Sequence, residues 1–175
     1  SFAGRVNKLL LEILQEDTMN IIGERKVENG LQIEELDEIM MHFEGNKLRP
    51  LKKVLKKEIK FDWKQNKCNL TSINVEKDIL WPEPEANQLH LQLAIANWNC
   101  KDDKFENQYS NEIILEKVNS KKTINFKVEQ LQTKELWIAY LFIGFSNKEQ
   151  RNTKTLHKKW NTTTIIGIQS FQSES

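Results

Sequence analysis

The sequence predicts an α+β chain that is mainly β: an antiparallel β-sandwich of about seven strands behind an N-terminal amphipathic helix. Three observations carry this expectation. Residues 136–145 form an unbroken apolar run, from Leu136 through Trp137, Ile138, Tyr140 and Leu141 to Phe145. Such a run, rich in β-branched and aromatic side chains, suits a strand buried on both faces. It is also shorter than the ~20 residues that a membrane-spanning helix needs. Second, the apolar residues on either side of it recur mostly with a period of two from Ile59 onward. Third, the links between these segments are mostly short and carry no helical pattern. Parallel crossovers therefore have no room, and neighbouring strands must pair antiparallel.

The elements follow in order. Phe2, Val6, Leu9, Leu10, Ile13 and Leu14 recur at helical spacing with Arg5, Lys8, Glu12 and Gln15 between them, which predicts a helix over about residues 2–16. Leu11 lies off that stripe and hints at a second contact. Asn29-Gly30 is a strong hairpin signal. Residues 33–43 fit either a helix through Ile33, Leu36, Met40 and Phe43, or a hairpin strand running into irregular chain. Leu51, Val54 and Leu55 suit a short helical turn. Ile59, Phe61 and Trp63 alternate with Lys60, Asp62 and Lys64, and Cys68, Leu70 and Ser72 alternate on the return, predicting a hairpin over 57–64 and 67–75. Trp81-Pro82-Glu83-Pro84 reads as an extended crossing segment, because proline cannot donate to a ladder.

Leu89, Leu91, Leu93 and Ile95 form the clearest alternating strand. Residues 97–108 read as a polar loop, 109–118 and 123–128 as strands, 136–145 as the central strand, 146–157 as a basic loop and 159–171 as the closing strand. Gly144 reads as a bulge or a point of close packing.

The chain has 175 residues, net charge +1, 38% apolar and 29% charged residues. That length suits one domain, with residues 1–46 as a helix-and-hairpin appendage and 47–175 as the sandwich. The five Trp and eight Phe can fill a core despite the polar average, and the near-neutral balance exerts no global pull toward nucleic acid or membrane. The start at Ser1, inside helix-like sequence, reads as a fragment or processed product. No signal segment is in view, which leans toward the cytoplasm without fixing the compartment. Cys68 and Cys100 form neither a disulfide framework nor a zinc pattern.

The order of features resembles an uncharacterised family of Bacteroidota proteins that joins a helical N-terminal region to a β-rich C-terminal half. The residues that carry the likeness are Arg5-Val6-Asn7-Lys8-Leu9-Leu10, Gly23-Glu24-Arg25-Lys26-Val27 with Gly30, Leu36 and Phe43-Glu44-Gly45-Asn46. The two hairpins, Phe142-Ile143-Gly144-Phe145 and Ile165-Ile166-Gly167-Ile168 follow in the same order. The family tends to have an aromatic residue where this chain has Gly45. The resemblance implies the architecture and no catalytic residues.

The chemistry is sparse. His42, His90 and His157 sit in three different kinds of segment and read as surface or edge residues, with His90 on the outward face of its strand. Cys68 reads as an inward, inert thiol, and Cys100, beside Lys101, as the more reactive one. Glu83 with Glu85, and Asp102 with Asp103, are the nearest approach to paired carboxylates, and they read as solvated loop charge. No GxGxxG, GxxxxGK[ST], GxSxG or HExxH occurs. No cofactor, no metal and no catalysis are expected.

Residues 47–67 carry nine basic residues and two acids, whereas 24–44 carry seven acids and two basic residues. Lys52, Lys53, Lys56, Lys57 and Lys60, together with Arg151 and the tryptophans Trp98 and Trp160, are the candidate interaction residues. The leading expectation is a non-catalytic interaction or structural module, with a protein partner or self-association through the N-terminal helix. Nucleic-acid binding through 47–67 is the first alternative, since cations interleaved with aromatics can track phosphates and stack bases. Carbohydrate binding through exposed tryptophan is the second.

Overall fold

The computed structural model describes residues 40–41, 43–82, 86–99, 104–129 and 136–170. The expected helix over 2–16 and the Asn29-Gly30 hairpin lie outside these residues, as do His42, Cys100 and the carboxylates of 83, 85, 102 and 103. The fold is mainly β and antiparallel throughout. A short helix α1 (Leu51–Val54) precedes β1 (Lys60–Asp62), β2 (Lys67–Asn74), β3 (Gln88–Asn99), β4 (Lys104–Tyr109), β5 (Ile113–Glu116), β6 (Lys121–Lys127), β7 (Leu136–Glu149), β8 (Asn152–Thr155) and β9 (Thr162–Ser170).

The strands make two sheets. The smaller has the order β1-β2-β6. The larger has β3 and β7 at its centre, with β4 and β5 along the free side of β3, and β8 and β9 along the free side of β7. The run at 136–145 is therefore central, as its composition requires. Its odd-numbered positions Trp137, Ala139, Leu141, Ile143 and Phe145 lie opposite Asn97, Ile95, Leu93, Leu91 and Leu89 of β3. The apolar members of these rows join one core cluster with Cys68, Leu70 and Ile73 of β2 and with Ile124, Phe126 and Val128 at β6. The two sheets thus share a core. Phe61 and Trp63 reach it from the β1 side, edge to face with each other at 4.5 Å, and Trp63 meets Trp137 of β7 at 6.4 Å.

Of the crossing segment, Trp81 and Pro82 lie outside the strands, and residues 83–85 lie outside the described residues. Trp81 is buried beside Phe145, 5.5 Å between ring centres, and its indole donates to the Val75 carbonyl at 3.0 Å. The chain thereby passes from the smaller sheet to the larger.

Two segments read as loops are strands. Residues 97–108 continue β3 to Asn99 and return as β4, pairing Trp98 with Phe105 and Ala94 with Tyr109. Residues 146–157 extend β7 to Glu149 and return as β8 through a two-residue turn, Gln150-Arg151. The sequence hides both because edge ladders form from backbone groups and tolerate polar side chains. Gln150 adopts φ +54°, a conformation more usual for glycine at that place in a hairpin. Gly144 is a close-packing point and not a bulge: a Cβ there would lie 3.0 Å from the Phe142 ring. The bulge falls between Ala139 and Tyr140, where β9 accommodates Ile166 as an extra residue.

Candidate interaction surface

The structure draws the two basic stretches together. Residues 43–54 run beside β9: Ile165 donates to the Phe43 carbonyl at 3.1 Å and Gly45 to the Thr163 carbonyl at 2.7 Å. The Asn46 amide donates to the carbonyls of Lys159 and Asn161 at 2.9 and 2.8 Å, and the Thr162 hydroxyl to the Arg49 carbonyl at 2.7 Å. Glu44 holds the start of α1, accepting from the Leu51 amide at 3.2 Å while Thr164 donates to its other oxygen. Pro50 precedes the first helical residue. Leu51 and Val54 face inward, so Lys52 and Lys53 face solvent.

Arg49 is the joint of this surface. It is 7% exposed. Its guanidinium stands 5.5 Å from the ring centre of Phe145 and 5.4 Å from that of Trp160. It donates to the Leu80 carbonyl, while its Nε has no hydrogen-bond partner among the described residues. Burial holds its pKa below the ordinary arginine value. Aromatic faces offset part of that desolvation, since a buried cation over a ring gains about 2 kcal/mol. Lys159 adds a second cation, 5.1 Å from the Trp160 ring centre. Lys117 caps the far end of the stack, 5.4 Å from Trp81. Outside it, Lys47, Lys52, Lys53, Lys158 and Lys159 are exposed, and Leu48 is 84% exposed.

The remaining candidate residues are spread more widely. Lys56 and Lys57 are exposed just beyond α1, where the Lys56 amide donates to the Asp78 carbonyl at 2.8 Å. Lys60 is exposed on β1, the edge of the smaller sheet. Arg151 is exposed at the tip of the β7–β8 hairpin. The Trp98 side chain lies outside the described residues. Trp63 is half-buried, while Trp81 and Trp137 are buried in the core.

One cluster escaped the sequence reading. His90 is not a plain surface residue: its side chain is 18% exposed, with Nδ1 2.5 Å from Glu112 Oε1 and Nε2 2.6 Å from Ser146 Oγ. A serine, imidazole and carboxylate in line are the parts of a hydrolytic triad. Here, however, the Ser146 hydroxyl donates to Gln88 Oε1 at 3.0 Å. The hydroxyl proton is thus turned toward Gln88 and away from the imidazole that a triad would use as its base. Ser146 is also 0% exposed, within a paired strand. No sequence signal links Ser146 to His90, because the contact is made across the β3–β7 ladder. Cys68 is buried as its alternation implies, and burial pushes its thiol up to about 12. Among the described residues no group of three or more His, Cys, Asp or Glu is placed to hold a metal ion, and no helix is long and apolar enough to cross a membrane.

No protein-family model matches the chain, and no curated protein or solved structure matches it either.

Proposed function

We propose that this chain is a non-catalytic interaction module, a β-sandwich with an N-terminal helix, that binds a partner protein by an acidic segment laid across the cationic surface around Trp160. Membership in the Bacteroidota family that the sequence resembles belongs to the same proposal. The observation that carries the binding surface is the packing of residues 46–49, which lead into α1 with its exposed Lys52 and Lys53, against Lys159, Trp160 and Thr162. Exposed cations rimming a half-buried indole, with Leu48 standing free beside them, match a partner of acidic and apolar residues. The burial of Ser146 and the donation of its hydroxyl to Gln88 support the non-catalytic reading over a hydrolase built on His90. The sandwich reading is supported by the aromatic contacts of Phe61 and Trp63 with the larger sheet.

A second reading, single-stranded nucleic acid, is favoured by Lys159 over Trp160, since a ring flanked by cations also stacks bases. Fluorescence anisotropy with a labelled Glu/Asp-rich peptide and with a labelled oligonucleotide, each titrated at rising salt, tests both. The expected result is peptide binding at low salt that weakens as salt screens the charges. Tighter binding of the oligonucleotide with a steep salt slope replaces this reading by the second. Silence from both removes the surface, and turnover of an ester substrate lost in Ser146→Ala overturns the non-catalytic assignment.

A further inference from the structure

Arg49 is a buried cation with no counter-charge in the described chain. Its Nε is buried without a hydrogen-bond partner, and among the described residues its guanidinium donates to the Leu80 carbonyl alone. Among the same residues neither Arg49 nor Lys159 forms an ion pair. Glu44, the acid nearest to Arg49 in sequence, accepts instead from the Leu51 amide and the Thr164 hydroxyl. Both cations stand against one ring, 5.4 and 5.1 Å from the centre of Trp160. Like charges held on one indole repel each other, the more so where water is scarce. Buried charges are as a rule paired, and an aromatic face offsets only part of the cost. Such a pair calls for an anionic acceptor.

The surroundings decide which kind. Phe145 is 1% exposed and Trp160 is half-buried. The indole is therefore the outer wall, carried on the short helical turn Lys158–Trp160. A guanidinium presents planar, parallel donors that match a carboxylate. A singly charged carboxylate also leaves water at lower cost than a doubly charged phosphate. We infer that Arg49 receives one carboxylate from a side chain of the bound acidic segment, with its Nε donating beneath Trp160 and Lys159 at the rim. The indole turns aside to admit it. Leu48, 84% exposed in the same segment as Arg49, meets an apolar neighbour of that acid. The recognised feature is thus one desolvated Asp or Glu beside an apolar residue, to which the outer lysines add salt-screened attraction. The inference rests on the acidic-partner reading and names the residue on which its specificity turns.

The test reads the Arg49 Nε–H directly, by NMR of the isotope-labelled full chain. Its signal is told from those of Arg5, Arg25 and Arg151 by its through-bond link to the Arg49 backbone. Propionate is the probe, propionamide its neutral counterpart and inorganic phosphate the other oxyanion. With propionate the Arg49 signal is expected to move downfield and saturate, while that of the exposed Arg151 barely moves and propionamide moves neither. An Arg49 signal that stays in place, or follows Arg151, overturns the inference. So does a response to phosphate without one to propionate, which assigns the site to a phosphorylated ligand. The Glu/Asp-rich peptide separates this inference from the surface reading. Peptide that binds by anisotropy and leaves the Arg49 signal unmoved overturns the inference and keeps the surface. A propionate response with no peptide binding keeps the carboxylate site and removes the surface. Arg49→Lys retains the charge and loses the planar fork, so it is expected to weaken the peptide at least about fivefold. Unchanged affinity in a folded Arg49→Lys protein overturns the inference, and if that variant does not fold the parent titration decides.

Discussion

Gly167 of β9 lies against Phe61 of β1 and Trp63 just beyond it, and substituting it measures that approach. A Cβ built on Gly167 would lie 3.1 Å from both Phe61 Cδ1 and Trp63 Cζ2, and 3.3 Å from Trp63 Cε2. Ordinary contact begins near 3.4 Å, so both rings must give way by a few tenths of an ångström. The Phe61–Trp63 pair is itself wedged against Trp137, which limits its retreat. Overpacking of this kind costs about 1–3 kcal/mol. The backbone at Gly167 is not left-handed, so alanine also returns about 0.4–1 kcal/mol by restricting the unfolded chain. A net loss of about 1–2 kcal/mol is expected for Gly167→Ala, lowering Tm by about 2–8 °C in a chain of this size. Gly167→Val is expected to lose more. Thermal melts followed by circular dichroism and Trp fluorescence measure this. In a double-mutant cycle with Phe61→Leu, coupling of at least about 0.5 kcal/mol is expected. A Gly167→Val protein as stable as the parent, with additive energies, would refute the packing of Phe61 and Trp63 onto β9.

Further outcomes follow from single residues. Leu141→Asp places a carboxylate at a 0% exposed site between Leu93 and Thr164, and Ile138→Asp does so at a 3% exposed site. Either is expected to unfold the domain through an unpaired buried charge, and a native-like melt by circular dichroism would show that β7 is not central. Cys68 is expected to resist thiol reagents in a Cys100→Ser background until denaturant is added, and rapid labelling of the native protein would contradict its burial. The Cys68 pKa is raised, and that of Tyr140 is raised by burial and by its hydrogen bond to Tyr109. The folded state therefore holds these protons more tightly, and their contribution is complete below the unfolded pKa of each group. It is lost as pH rises from about 9 through the folded values, so Cys68→Ala should flatten the decline of urea midpoints above pH 9. Gln150→Gly relieves a positive φ and is expected to raise stability by about 0.5–1 kcal/mol, and a lowered melt would show that the turn favours a side chain.

Sequence reading succeeded where side chains alternate against a core and failed where backbone pairing alone makes the strand. Leu89 to Ile95, Ile124 to Val128 and the run 136–145 are legible because burial selects their residues. β4 and β8 are edge strands: all four residues of β8 are exposed, so nothing selects apolar residues at that edge. Gln150, at the turn between β7 and β8, lacks the usual glycine. The candidate surface was half legible. Lys52, Lys53 and Trp160 were named, but as members of separate stretches. The two stretches meet through Asn46 and Thr162, whose side-chain hydrogen bonds span more than 100 residues and leave no periodic trace. Arg49 was counted among the basic residues and never singled out, because charge alone does not reveal burial between two rings. His90 was placed outward correctly by alternation, but Ser146 and Glu112 reach it only through pairing across the sheet and the β4–β5 turn.

The most direct test of the central claim compares the parent with the variant Lys52→Glu/Lys53→Glu/Lys158→Glu/Lys159→Glu. These four side chains are exposed, so the fold should tolerate their reversal, with an unchanged circular dichroism spectrum as the control. Anisotropy of the labelled acidic peptide at low salt is the readout. At about 0.2–1 kcal/mol for each exposed ion pair, the four reversals together predict a rise in Kd of at least about fourfold. Equal binding by the parent and the folded variant would contradict it and move the interaction surface elsewhere on the chain.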